Sequence, residues 1–115
     1  MITTSYFSSA APKARKVCIA KKAPWPFPTG LHVAELAPSN PWVRKDWQER
    51  YWQDLCARFP KGRGLRELLD RITAQVPEPI LCCYEKYPSQ CHREILARYI
   101  ERHLELVVPE WTAGK

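Results

Sequence analysis

The stretch Ile80-Leu81-Cys82-Cys83-Tyr84-Glu85-Lys86-Tyr87-Pro88-Ser89-Gln90-Cys91-His92-Arg93 decides the fold of this chain. Residues 80–84 (ILCCY) are a continuous apolar run with Pro77 and Pro79 just ahead of it. So short a run between two helical patterns predicts a strand buried on both faces, as in a parallel sheet. From about Cys91 or His92 the spacing becomes helical, with Ile95, Leu96, Tyr99, Ile100 and His103 inward. The segment therefore reads strand, loop, helix start.

Upstream, Leu65, Leu68, Leu69, Ile72 and Val76 mark a helix that Pro77 and Pro79 stop. Before it, Val43, Trp47, Tyr51, Leu55 and Phe59 recur every four residues. That stripe belongs to a helix expected to start at Asn40-Pro41, a capping side chain followed by proline at the first helical position. Residues 2–8 and 16–20 read as two strands, and residues 104–108 (LELVV) as a last one. Prolines 24, 26 and 28 keep Trp25 and Phe27 in a stiff extended segment. Strands alternating with helices argue for a single α/β domain over residues 1–115, a small and mainly parallel sheet flanked by helices in Rossmann-like layers. Strand order does not follow from the pattern.

At 115 residues there is room for one core only, and 45% hydrophobic content is too apolar for a disordered chain. No apolar run reaches the length of a membrane span, and the first ten residues lack the pattern of a signal peptide, so a cytoplasmic setting is expected. The net charge is +6, but it is unevenly placed. Lys13, Arg15, Lys16, Lys21 and Lys22 give residues 1–34 a charge of +5 with no acid, and the remainder carries +1. With Tyr6, Phe7, Trp25 and Phe27 nearby, this third can contact phosphates and stack on bases; it can equally be a solvated edge guarded by lysines. Five cysteines at irregular spacing do not look like a disulfide framework.

The quoted segment also concentrates the chemistry. Its loop lies beyond the carboxyl end of a strand, where open α/β sheets bind ligands. Unpaired N–H groups at the following helix start favour an anion, with Lys86 and Arg93 adding positive charge. Arg93 opposes the helix dipole there, a local conflict more common at functional sites. In the same field Cys91 gains thiolate character, His92 is an acid or base, and Glu85 orients it or serves as base itself. A structural alternative stays open, with the cysteines as core filler, His92 facing inward and Glu85 paired with Arg93.

Two sharper motifs fail. A phosphatase-type loop needs arginine six residues after its cysteine, where Cys82 and Cys83 have Pro88 and Ser89. Cys82, Cys83, Cys91 and His92 have the chemistry of zinc ligands, but adjacent strand residues point to opposite faces, so no metal is expected.

Cys83-Tyr84-Glu85-Lys86 followed by Cys91-His92-Arg93 and a helix resembles the signature of the bacterial and archaeal family called domain of unknown function 488. Thr3-Thr4-Ser5-Tyr6-Phe7, residues 17–20 and Glu35-Leu36-Ala37-Pro38-Ser39 resemble its shorter members, and the likeness extends from Ile2 to about Leu104. The resemblance implies a compact α/β fold in a cytoplasmic prokaryotic protein and no established activity. It selects Cys83, Glu85, Lys86, Cys91, His92 and Arg93, with Thr4, Ser5 and Tyr6 from the first strand. The doubled Cys82-Cys83 departs from the single cysteine expected before Tyr84.

The resulting expectation is an anion- or nucleotide-binding cleft on the 83–93 segment. Arg93, Lys86, Cys83, Ser5 and Tyr6 would contact a phosphate-bearing ligand, and Cys91, His92 and Glu85 would carry any chemistry. No cofactor is specified by these residues. The alternatives are a nucleic-acid-binding module using the basic first third, and a partner-binding surface made by Trp42, Trp52 or Trp111.

Overall fold

The structure, a computed structural model, describes residues 1–22, 24, 29–39, 46–85, 87 and 91–113. At its centre is β3 (Ile80–Cys83), in which every residue is buried. A strand apolar on both faces must be covered on both and paired on both edges, and β3 is. Strands β1 (Thr3–Tyr6) and β2 (Lys16–Cys18) flank it in the order β1-β3-β2, all parallel. Thr3, Thr4, Ser5 and Tyr6 pair with Ile80, Leu81, Cys82 and Cys83, while Val17 and Cys18 pair with Leu81 and Cys82.

Alternation along β3 separates the two faces. Leu81 and Cys83, with Val17, join a core shared with α1 (Trp47–Arg58), α2 (Leu65–Gln75) and α3 (His92–Leu104). Ile80 and Cys82 face the other way, onto Ala11, Phe7 and Trp111. Buried Lys16 closes that region, its Nζ donating to the Phe7 carbonyl at 2.6 Å and the Ser9 carbonyl at 2.8 Å.

The helices bury most of the positions their spacing predicts, with Trp47 and His103 only half-buried. Leu65, Leu68, Leu69 and Ile72 are buried in α2, and Tyr51 and Leu55 in α1. The Tyr51 hydroxyl donates to the Leu36 carbonyl at 2.5 Å, and the Trp52 ring meets Tyr99 edge-on at 5.0 Å. Helix α1 is described from Trp47, with Asp46 in the position before it; the expected start at Asn40-Pro41, with Trp42, lies outside the described residues, as do Trp25 and Phe27. Between α1 and α2 the chain passes so close to α3 that a Cβ on Gly62 would sit 2.7 Å from the His103 Cβ. Gly62 also has φ 82°, a conformation that costs a side-chain-bearing residue about 1 kcal/mol or more.

The expected strand at residues 104–108 is not formed. Leu104 completes α3, and Glu105 turns the chain with φ 56° in the left-handed region. Leu106 and Val107 are then exposed. Alternating apolar residues suggested a strand, but the turn at Glu105 carries them past the sheet. The tail reaches β1 only later, where Thr4 N donates to Pro109 O at 3.0 Å and Trp111 N to Thr4 O at 2.7 Å.

Candidate functional site

The carboxyl end of β3 and the start of α3 meet as expected. Cys83 is the last residue of β3, and Cys91 occupies the cap position of α3. Their sulfurs are bonded to each other across a Cα separation of 6.9 Å. The cysteines thus form no framework, but one pair among them is a disulfide. Cys18 and Cys82 are free and buried, and Cys56 is free and exposed. Burial pushes the Cys82 thiol up to about 12 and raises that of Cys18.

Arg93 is fully buried, and its guanidinium is engaged on every side. Nε donates to Glu110 Oε1 at 3.0 Å, and Nη2 to Oε2 at 2.8 Å. Nη1 donates to the Glu85 carbonyl at 2.5 Å and lies 3.2 Å from Cys83 Sγ. The Tyr6 ring faces the guanidinium carbon at 5.9 Å. The carboxylate partner is therefore Glu110, in the tail, and Glu85 contributes its backbone oxygen. Thr4 Oγ1 adds a 2.7 Å hydrogen bond to Glu110 Oε1, placing Thr4 in the same network. This resolves the conflict of a cation in the first turn of a helix: the Glu110 carboxylate neutralises it. Nothing local in the sequence marks Glu110, because a pairing across 17 residues and a turn leaves no spacing signature.

His92 is fully buried. Its Nε2 meets the Ile19 carbonyl at 2.6 Å, its Nδ1 lies 3.8 Å from Cys91 Sγ, and its ring meets Tyr51 edge-on at 5.1 Å. Burial, assisted by the nearby Arg93 charge and opposed by the Ile19 hydrogen bond, lowers its pKa to about 4. The imidazole is neutral, and because a carbonyl only accepts, Nε2 carries the hydrogen. The Ile19 backbone holds the ring, the role expected of Glu85, which is half-buried.

Of the first-strand residues, Tyr6 reaches the site beside Cys83. Ser5 does not: paired with Cys82, it is buried on the opposite face. Lys86 lies outside the described residues. In the basic first third, Lys16 is internal and Arg15 Nε donates to the Glu78 carbonyl at 2.7 Å, leaving Lys13, Lys21 and Lys22 exposed. Trp52 and Trp111 are half-buried rather than displayed as a patch. A cavity of about 400 Å³ is lined among others by Thr3, Arg15, Glu78, Trp111 and Glu110, the carboxylate that pairs with Arg93.

One more grouping emerges. Ligand atoms of Cys83, Cys91 and His92 all lie within 4.8 Å of one another. The parity argument against a metal removes Cys82, which faces away, and leaves these three together.

The architecture defines a small α/β protein with a buried cysteine pair, a neutral histidine and a neutralised arginine at the carboxyl end of its central strand. It belongs to the family described as Domain of unknown function DUF488, whose model matches residues 27–100. That range contains β3, the loop and the first part of α3, hence Cys83, Cys91, His92 and Arg93. No curated protein and no solved structure gives a significant match. Among the described residues, no helix is long and apolar enough to cross a membrane.

Proposed function

We propose that the chain is a thiol–disulfide redox protein whose working centre is the Cys83/Cys91 pair. The observation that carries this reading is the 3.2 Å approach of Arg93 Nη1 to Cys83 Sγ. A purely structural disulfide gains little from a guanidinium at its sulfur, whereas a thiolate is stabilised by one. Cys91, at the start of α3, sits in the field of the helix N-terminus, which acts in the same direction.

The reaction is exchange with a small external disulfide. The Cys91 thiolate attacks one sulfur of R–S–S–R and expels R–S⁻, which takes up the proton Cys91 has lost. The Cys83 thiolate then attacks the Cys91 sulfur and expels a second R–S⁻. The protein dithiol loses two electrons, the external disulfide gains them, and two R–SH are formed. Both protein sulfurs are buried, so the partner is a small molecule and the slow access controls rate, not equilibrium.

Equilibration of the 115-residue chain in glutathione buffers of graded ratio, with thiols counted by mass, tests this. One reversible two-electron transition confined to Cys83 and Cys91 is expected, moving toward the disulfide in Arg93→Met. A pair that stays in one state across the series refutes the reading.

Binding of a phosphate or nucleotide at the same loop is the second reading, favoured by Arg93 at the start of a helix. Here Glu110 already occupies the guanidinium fork, so the anion must displace that carboxylate. Calorimetric titration with phosphate and with a nucleoside triphosphate separates the two. Binding that strengthens in Glu110→Gln supports the anion reading, and absence of heat with either variant removes it.

A further inference from the structure

We infer that, once Cys83 and Cys91 are reduced, they and His92 bind one zinc-class divalent ion. This rests on the positions of three side chains and not on the exchange reaction proposed above.

Zinc takes thiolate sulfur at about 2.3 Å and imidazole nitrogen at about 2.0–2.1 Å, in tetrahedral geometry. Ligand atoms at those distances stand roughly 3.4–3.8 Å apart. His92 Nδ1 is already 3.8 Å from Cys91 Sγ, and the ligand atoms of all three residues lie within 4.8 Å of one another. Reduction separates the two sulfurs, the direction the third distance requires.

The surroundings fit a metal site as well. A ligating histidine characteristically donates its other ring N–H to a backbone carbonyl or carboxylate, which fixes its tautomer and orientation. His92 has that partner in the Ile19 carbonyl at 2.6 Å, so the lone pair is on Nδ1, the nitrogen facing the cysteines. Arg93 at Cys83 Sγ supplies an outer-shell hydrogen bond to the sulfur and offsets its charge. The three ligands come from the end of β3 and the first residues of α3, elements tied together by the core. Soft sulfur donors with one imidazole select zinc over magnesium or calcium. Three protein ligands among the described residues leave a fourth position for water or a substrate atom, the pattern of catalytic rather than structural zinc.

The test uses the full chain, reduced with a phosphine and checked by thiol counting and circular dichroism. Zinc is titrated against a chromophoric chelator and cobalt is followed by absorption. One zinc per chain and a thiolate-to-cobalt charge-transfer band are expected, with neither in the disulfide form. Cys83→Ser, Cys91→Ser and His92→Ala should each weaken binding about 100-fold or more, judged against the 10–100-fold that outer-shell changes cost. Cys56→Ser, at the exposed free thiol, should bind as the parent does. X-ray absorption on the zinc-loaded parent should give two sulfurs and one nitrogen without recourse to any variant. A folded, fully reduced parent that binds no zinc, or binds it without sulfur in its shell, overturns the inference even if the pair cycles normally in glutathione. A pair that cannot be oxidised, yet binds zinc through both sulfurs when reduced, refutes the redox reading and leaves this one standing.

Discussion

Replacing Arg93 by lysine keeps the charge and removes the fork, and its cost follows from the partners left behind. The guanidinium spans two oxygens of Glu110, the Glu85 carbonyl and Cys83 Sγ. A single ammonium reaches one of these groups well and leaves the others short of a donor. Removing one member of a buried ion pair costs about 3–5 kcal/mol, and an unpaired buried acceptor about 1–3 kcal/mol. Arg93 is 0% exposed but Glu110 is 32% exposed, so water partly compensates the carboxylate. We expect about 2 kcal/mol for Arg93→Lys and about 3 kcal/mol for Arg93→Met, large shares of the 5–15 kcal/mol by which most domains are stable. Urea unfolding of the disulfide form, read by tryptophan fluorescence, gives both values, with the slope unchanged if only stability moves. A double-mutant cycle with Glu110→Gln should return a coupling of about 1–3 kcal/mol. A cost below about 0.5 kcal/mol for Arg93→Lys, or no coupling to Glu110, would show that the arginine is not held as described.

Two further perturbations probe the frame around the site. Gly62→Ala should cost about 2–4 kcal/mol, the left-handed penalty plus overpacking against His103, and clearly more than Gly64→Ala. Gly64 has the same φ of 82° but only Phe59 at 3.9 Å, so equal losses in thermal unfolding would contradict the close approach of α3. In the native chain a thiol reagent near neutral pH should modify Cys56 alone, because Cys82 is held up to about 12 and Cys18 is raised too, both buried. Their labelling should track unfolding, and rapid modification of Cys82 in native protein would refute its burial.

How much of this was legible in the sequence depends on the range over which each feature is determined. Helix α2 and the buried strand β3 are local patterns, and Leu65, Leu68, Leu69, Ile72 and the ILCC run lie where their spacing puts them. Cys83, Cys91, His92 and Arg93 could be singled out because strand end, loop and helix start are adjacent in sequence. What each touches could not. Glu110, the Ile19 carbonyl and the Tyr6 ring reach the site only through the tail turn and the sheet order. The misplaced strand at 104–108 has a local cause, since a left-handed Glu105 is rare enough that residue type does not announce it. Ser5 was avoidable: neighbours on a strand face opposite ways, so Ser5 and Tyr6 could not both serve one cleft.

Net charge illustrates the same point about range. The basic first third suggested a phosphate-tracking surface, yet Lys16 is spent on two loop carbonyls and Arg15 on the carbonyl of Glu78. Lys13, Lys21 and Lys22 remain exposed on that stretch. Each phosphate contact contributes roughly 0.9 to the salt slope on duplex DNA, so three lysines would give a slope of no more than about 3. The cation buried at the candidate site is Arg93, which a charge count offsets against Glu110. In the disulfide state that offset is complete, because the sulfur is neutral and the carboxylate holds the fork. If the pair were reduced, a thiolate at Cys83, whose sulfur lies 3.2 Å from the guanidinium in the disulfide form, would make two anions share one cation. The Arg93–Glu110 pair is thus where a change in the state of the cysteines would be felt.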